Sequence, residues 1–269
     1  KIRRMGYIKM EEIQKVDIIK IKGDILQGEG DIVIVEYPFT LFIEDKEIIT
    51  LLCSPSSLEY LALGFLYSEG FIDSLEDIEK IRIDEDNGMC HIKLYNVNKL
   101  RENLRGKRTI SSGCGKGTLF YNVLDSFKSK KIENHIPLEI EKIKALIREF
   151  NRKSELFKET GGVHGCALCN YENILIFEED IGRHNALDKV FGRALVENIS
   201  TLDKIILTSG RISSEILIKA AKRQVPIIVS RSAPTSLSVK LGEELGISLI
   251  GFARGEKMNI YTNFLNLDF

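Results

Sequence analysis

The stretch Ser111-Ser112-Gly113-Cys114-Gly115-Lys116-Gly117 has the plainest capacity for chemistry in this 269-residue chain. Three glycines and two serines in seven positions cannot pack a core, so the segment reads as a surface loop that exposes one thiol. Lys107, Arg108 and Lys116 flank the sulfur of Cys114, and a positive surrounding favours thiolate over thiol. A nucleophilic sulfur on a flexible arm suits transfer of something small between two sites. A free cysteine in an ordinary Gly-rich turn would look the same locally, so the rest of the chain must decide.

Three further segments each place an arginine beside small hydroxyl or glycine residues directly after an apolar run. They are Thr208-Ser209-Gly210-Arg211, Ser230-Arg231-Ser232-Ala233-Pro234-Thr235 and Ala253-Arg254-Gly255-Glu256-Lys257. One such segment is an ordinary turn with a surface arginine. Three at equivalent positions suit phosphate groups, which take N–H donors at helix starts and bidentate guanidinium bonds. The cluster Glu179-Asp180-Ile181-Gly182-Arg183-His184-Asn185 adds Asp180, Arg183 and His184, either as accessory ligand groups or as a capped helix start with a surface ion pair. His164 with Cys166-Ala167-Leu168-Cys169 offers three zinc-ligand types, but the H-x-E and P-C-x-x-C pattern of zinc deaminases is absent, so no metal site is expected.

These groups need elements to hold them. Segments 36–43 and 47–52 alternate as a hairpin, 58–69 has helical spacing ended by Gly70, and 79–83 and 89–95 read as two more strands. That is an α+β unit. The polar, basic and Gly-rich stretch 98–117 forms a boundary, followed by a helix over 118–126, a solvated lysine-rich stretch at 128–131 and an amphipathic helix over 138–154. Beyond it, strands at 163–168, 174–178, 204–207, 226–229, 248–252 and 259–261 interleave with helices at 185–196, 214–223 and 235–245. Regular β-α-β-α order predicts an α/β fold with a largely parallel sheet, whose ligands collect beyond the carboxyl ends of the strands. The division expected is an N-terminal α+β domain over 30–105, a Cys-bearing loop and connection over 106–137, and an α/β domain over 138–269.

With 38 basic and 39 acidic residues the formal net charge is −1, so no global field draws in nucleic acid. Hydrophobic residues at 43% and charged residues at 29% fit a globular, water-soluble chain, and no apolar run reaches the roughly 18 residues a membrane helix needs. Residues 1–10 lack an apolar stretch and do not read as a secretory signal. Five scattered cysteines are not a disulfide framework and fit a reducing cytoplasm.

Taken together the segments resemble the FdhD family of formate dehydrogenase accessory proteins, over about 36–262. The likeness is carried by Ser54-Pro55, Leu61-Ala62-Leu63-Gly64-Phe65 and Ser68-Glu69-Gly70, the Cys114 loop, and Thr160-Gly161-Gly162-Val163-His164. It continues through Asp180–Ala186 with Asp188-Lys189, then the three arginine-bearing segments. The resemblance implies a C-terminal cytidine-deaminase-like three-layer α/β/α domain without zinc ligands, a smaller N-terminal α+β domain, and a cytoplasmic homodimer. It implies a sulfurtransferase of carrier type, which takes persulfide sulfur from a cysteine desulfurase on Cys114. That sulfur would pass to molybdenum bis(molybdopterin guanine dinucleotide), bound transiently as cargo, before formate dehydrogenase receives it. The segment 252–257 matches the family's cofactor-binding segment. A chaperone that holds the cofactor without moving sulfur is the alternative. Many relatives carry Cys-Gly-x-Cys in the loop. This chain keeps only Cys114, with Ser111 or Gly117 at the other place, which excludes a disulfide relay within the loop.

Overall fold

The computed structural model describes residues 2–5, 10–96, 131–133 and 139–264. The Cys114 loop, the helix expected over 118–126 and residues 128–130 of the lysine-rich stretch lie outside them.

The first half builds a five-stranded sheet in the order β1-β6-β7-β4-β5. Its strands are β1 (Ile2–Met5), β4 (Tyr37–Ile43), β5 (Lys46–Cys53), β6 (Ile78–Asp84) and β7 (Met89–Leu94). Alternation in β4 turns Phe39, Leu41 and Ile43 to one face, where they are fully buried against α1 (Leu58–Glu69). Helix α1 is apolar nearly all round, and a helix of that kind must be covered on every side. It stops at Gly70, whose left-handed φ of 84° lets its N–H reach the carbonyls of Leu66 and Tyr67.

A ladder of β2 (Ile13–Lys22) and β3 (Ile25–Ile34) lies between β1 and β4 in the chain and was not anticipated. Both strands are largely exposed and β3 carries Gly28 and Gly30, so no buried period of two marks them in the sequence. Position 30, where the first domain was taken to begin, falls inside β3.

The second half is a six-stranded sheet in the order β13-β12-β11-β10-β8-β9. These are β8 (His164–Cys169), β9 (Ile174–Asp180), β10 (Ile205–Thr208), β11 (Ile227–Ser230), β12 (Ser248–Arg254) and β13 (Lys257–Thr262). Only β10–β11 and β11–β12 are parallel, while β8–β9, β8–β10 and β12–β13 are antiparallel. The sheet is therefore mixed and not largely parallel as expected. The turns after β8 and β12 are too short for a crossover helix, and turns that short join only antiparallel neighbours.

Helix α2 (Ile140–Lys153) covers one face through Ile143, Leu146, Ile147 and Phe150, against Ile205, Leu207, Ile227 and Val229. A short α3 (Glu155–Thr160), unforeseen, follows it. Helices α4 (Arg183–Val196), α5 (Ser214–Lys222) and α6 (Ser236–Leu245) cover the other face, meeting the alternate residues Ile206 and Ile228. The arrangement is three-layered.

The two halves meet where α1 crosses α4. A Cβ on Gly64 would lie 1.7 Å from the Asp188 carbonyl oxygen, and one on Gly192 would lie 1.9 Å from that of Tyr60. The helices thus touch backbone to backbone, which only glycine permits at these two positions. Two buried charge clusters flank the contact. In one, Asp188 receives bonds from Ser68 of α1 and Lys219 of α5. In the other, Asp180 accepts from Lys189 at 2.7 Å and from the N–H of Ser54 at 3.1 Å, and both charged side chains are fully buried.

Candidate functional site

Strand direction explains which side chains share an edge. Strand β8 runs opposite to β10, so its first residue, His164, stands at the carboxyl end of β10 and pairs in register with Asp180, the last residue of β9. That edge therefore collects His164, the 180–184 turn, and the loops after β10 and β11. Cross-links make the loops part of the framework. Arg231 N–H donates to the Thr208 carbonyl, Ile212 N–H to that of Ala233, and Thr235 N–H to that of Ile212. Ser213 and Thr235 then cap α5 and α6 by accepting from Ile216 and Ser238 N–H.

Several residues expected to meet a ligand instead build this frame. Ser230 is buried and donates to the Gly210 carbonyl at 2.7 Å, while it accepts from Ser232 N–H. The Ser209 hydroxyl receives Gly165 N–H at 3.1 Å and meets His164 Nδ1 at 3.2 Å. Ala253 is fully buried beneath β12, against the α2 side of the sheet, and cannot present its side chain. Glu256 is turned away, paired with Lys144 at 2.8 Å and Arg148 at 3.4 Å on α2. Asp180 is fully buried and accepts from Gly182 N–H and Asn185 Nδ2, both at 2.9 Å, besides Ser54 and Lys189. It shapes the 180–185 turn, and both of its oxygens are engaged by donors of the protein itself. Its partners Ser54, Asn185 and Lys189 had been read only as motif letters, because a contact between residues 54 and 180 has no local signal.

What remains facing outward is basic. Arg183, Arg211, Arg231 and Arg254 have no carboxylate within ion-pair distance among the described residues. Arg254 Nε donates to the Arg231 carbonyl at 2.9 Å, which ties the ends of β11 and β12 together. Arg254 ends β12 and leads through Gly255, with φ of 56°, into the β13 hairpin. A strand was expected next, at 259–261, and β13 takes that place. Lys257 opens β13 and is exposed.

Phe252 stands out from this edge. It has a φ of 50°, is 43% exposed, and sits where the β12–β13 register shifts, with its N–H held by the Ser232 carbonyl at 3.0 Å. A bulky residue at positive φ is an outlier costing on the order of 1–3 kcal/mol, and such strain gathers at functional sites. The cavity beneath the edge, lined by Thr208, Ser230, Arg231 and Ala253 with Ile147 and Phe150, has a volume of only about 10 Å³. That is below the roughly 300 Å³ of a small-molecule cavity, so a larger ligand must lie across the open edge.

His164 is held below the usual imidazole range, first by burial and then by the Arg183 guanidinium. His184 Nε2 lies 3.0 Å from Glu215 Oε2, and this contact pulls the Glu215 carboxyl below its ordinary value. Cys53, Cys90, Cys166 and Cys169 are all buried. Burial pushes each thiol upward, Cys53 to about 12, so none of the four is a ready nucleophile. Cys166 and Cys169 lie within a strand, and no group of three or more His, Cys, Asp or Glu among the described residues has the geometry of a metal site.

Fold and edge together define a mixed α/β protein whose open strand ends can receive an anion. Comparison with known proteins makes the assignment specific. The FdhD/NarQ family model matches residues 34–267, and the chain belongs to that family. A Listeria innocua protein named sulfur carrier protein FdhD is 41% identical over 257 residues, covering 95% of this chain and 98% of that one. The Bacillus subtilis protein of the same name is 43% identical over 242 residues, 90% of this chain and 92% of its own. A crystal structure of a Desulfotalea psychrophila protein, described as a formate dehydrogenase accessory protein, superposes with a TM-score of 0.75 at 26% identity. It covers 94% of this chain and 98% of the other. Among the described residues no helix is long and apolar enough to cross a membrane.

Proposed function

We propose that this protein is a sulfur carrier that serves formate dehydrogenase. Cys114 takes sulfane sulfur from a cysteine desulfurase: its thiolate attacks the outer sulfur of the donor's persulfide, a new S–S bond forms on Cys114, and the donor cysteine leaves as thiolate. The outer sulfur is delivered to molybdenum bis(molybdopterin guanine dinucleotide), held as substrate on the arginine-bearing edge, where a two-electron reductant of thiol type takes it to sulfide and returns Cys114 as thiolate. The working form is a cytoplasmic homodimer, as the family resemblance implies.

The observation that carries this reading is the exposed, strained Phe252 beside Arg231 and Arg254. Guanidinium groups without carboxylate partners suit phosphate oxygens, and an aromatic face next to them suits a stacked purine. Both halves of a guanine dinucleotide are thereby matched. The thiols support the other half of the proposal. With Cys53, Cys90, Cys166 and Cys169 shut in, sulfur carriage in this chain falls to Cys114.

Incubation with a desulfurase and cysteine, followed by intact-mass measurement, is expected to add one sulfur to the wild type and none to Cys114→Ala. Equal loading of the variant would overturn the carrier role. If Cys114→Ala still supports maturation of formate dehydrogenase while Arg254→Ala does not, the protein is instead a cofactor-holding chaperone.

A further inference from the structure

Arg183 and His164 have no place in the nucleotide-binding reading, yet they are the most enclosed basic groups on the edge. The stem of Arg183 lies across Gly210, where an added Cβ would come within 2.8 Å of Arg183 Cβ and 3.0 Å of its Cδ. Its Nε is buried from solvent and has no hydrogen-bond partner. Buried N–H groups are nearly always bonded in native proteins, so an orphan calls for a missing acceptor. The guanidinium faces Arg211, a like charge that, after burial, is the next largest cause holding Arg183 below its ordinary value. Glu215, the carboxylate near enough to oppose this, points to His184. His164 is held at Nδ1 by the Ser209 hydroxyl and lies close enough to Arg183 and Arg211 to feel both charges.

We propose that Arg183, Arg211 and His164 form a second anion subsite, more enclosed than the Arg231–Arg254 part of the edge, which takes a compact tetrahedral dianion such as a phosphate group. A dianion would satisfy the orphan Nε, neutralise two guanidinium groups that now repel, and accept a bond from the imidazole. Half-burial against Gly210 and Ser209 limits the guest to a small group. The inference rests on the reading above only for the source of that group, either a phosphoryl group of the bound dinucleotide's pyrophosphate or a free oxyanion.

The test is equilibrium binding of inorganic phosphate and, separately, of guanosine diphosphate to the full chain and its variants. Arg183→Gln is expected to weaken phosphate binding at least tenfold, whereas Lys204→Gln, at the amino end of β10 and away from the edge, leaves it within twofold of wild type. Gly210→Ala keeps every charge but displaces the Arg183 stem, and is expected to weaken phosphate likewise. It serves as the second probe should Arg183→Gln melt early. In the wild type, the charged groups facing His164 are Asp180 from β9, Arg183 and His184 from α4, and Arg211 from the β10 loop. Saturating phosphate should therefore raise the His164 titration point in an NMR titration. Absence of phosphate binding in the wild type, or affinity within twofold of wild type in both Arg183→Gln and Gly210→Ala, would sink the subsite. Competition between phosphate and the nucleotide assigns the subsite to a phosphoryl group of the nucleotide, and simultaneous binding assigns it to a free oxyanion. Unchanged nucleotide affinity in Arg254→Gln, with the Arg183→Gln effect on phosphate intact, would overturn the nucleotide-edge reading and leave the subsite standing.

Discussion

Ten consecutive residues, Asp180 to Lys189, supply charges to two regions that treat them in opposite ways. Asp180, Asp188 and Lys189 go to the seam between the halves, where each is buried and each finds an opposite charge with hydroxyl or backbone hydrogen-bond partners around it. Arg183 goes to the strand edge, where it faces Arg211 and forms no ion pair among the described residues, the nearby Glu215 being turned to His184. Charges that hold the fold are neutralised within it. Charges left unbalanced at a half-buried edge raise the energy of the empty protein and are relieved only from outside. Stability and ligand affinity should therefore respond to different residues on the same turn and helix.

The largest effect should come from breaking a seam pair. Asp180→Ala leaves Lys189 buried without its counter-charge, and equilibrium urea unfolding is expected to show a loss of about 3–5 kcal/mol. Gly64→Ala tests the backbone contact instead of the charges. Its methyl group would overlap the Asp188 carbonyl, at a cost of about 3 kcal/mol, the upper part of the usual overpacking range. The comparison would blur if either variant unfolded like the wild type.

Edge substitutions should invert the pattern. Arg231→Gln and Arg254→Gln are expected to leave unfolding stability within about 0.5 kcal/mol of wild type. Each removes charge-assisted bonds worth about 1.5–3 kcal/mol to a phosphate, so affinity for guanosine diphosphate should drop roughly ten- to a hundredfold by calorimetry. The smallest effect concerns pH. Burial, then Arg183, depresses the His164 titration below its ordinary 6.5, so the unfolded chain binds that proton more readily than the folded one. Its contribution is complete above pH 6.5 and is lost as pH falls through the folded value, and His164→Gln should flatten that acid-side slope in unfolding measurements.

Much of the second half was legible because short apolar strands and amphipathic helices alternate there with capping residues at their joints, as at Ser213 and Thr235. Strand direction was not. The turns after β8 and β12 decide it, and a strict β-α-β rhythm was read through them. The exposed β2–β3 ladder escaped because an unburied strand carries no hydrophobic period. At the edge, Arg211, Arg231 and Arg254 could be picked out by their neighbours. The turning-in of Ser230, Ala253 and Asp180 could not, since each depends on a contact distant in sequence. The left-handed conformation of Phe252 comes from a register shift against β13 that no residue announces.

Ser54 and Asp180 are 126 positions apart, and α1 is sandwiched between a sheet made early and a helix made late. During synthesis the ribosome releases the first sheet with one flank of α1 uncovered, and at about 5–20 residues per second the missing cover arrives only after several seconds. Throughout that interval the nascent chain displays a greasy ridge, so its birth, more than its finished form, is the moment at which it needs an escort.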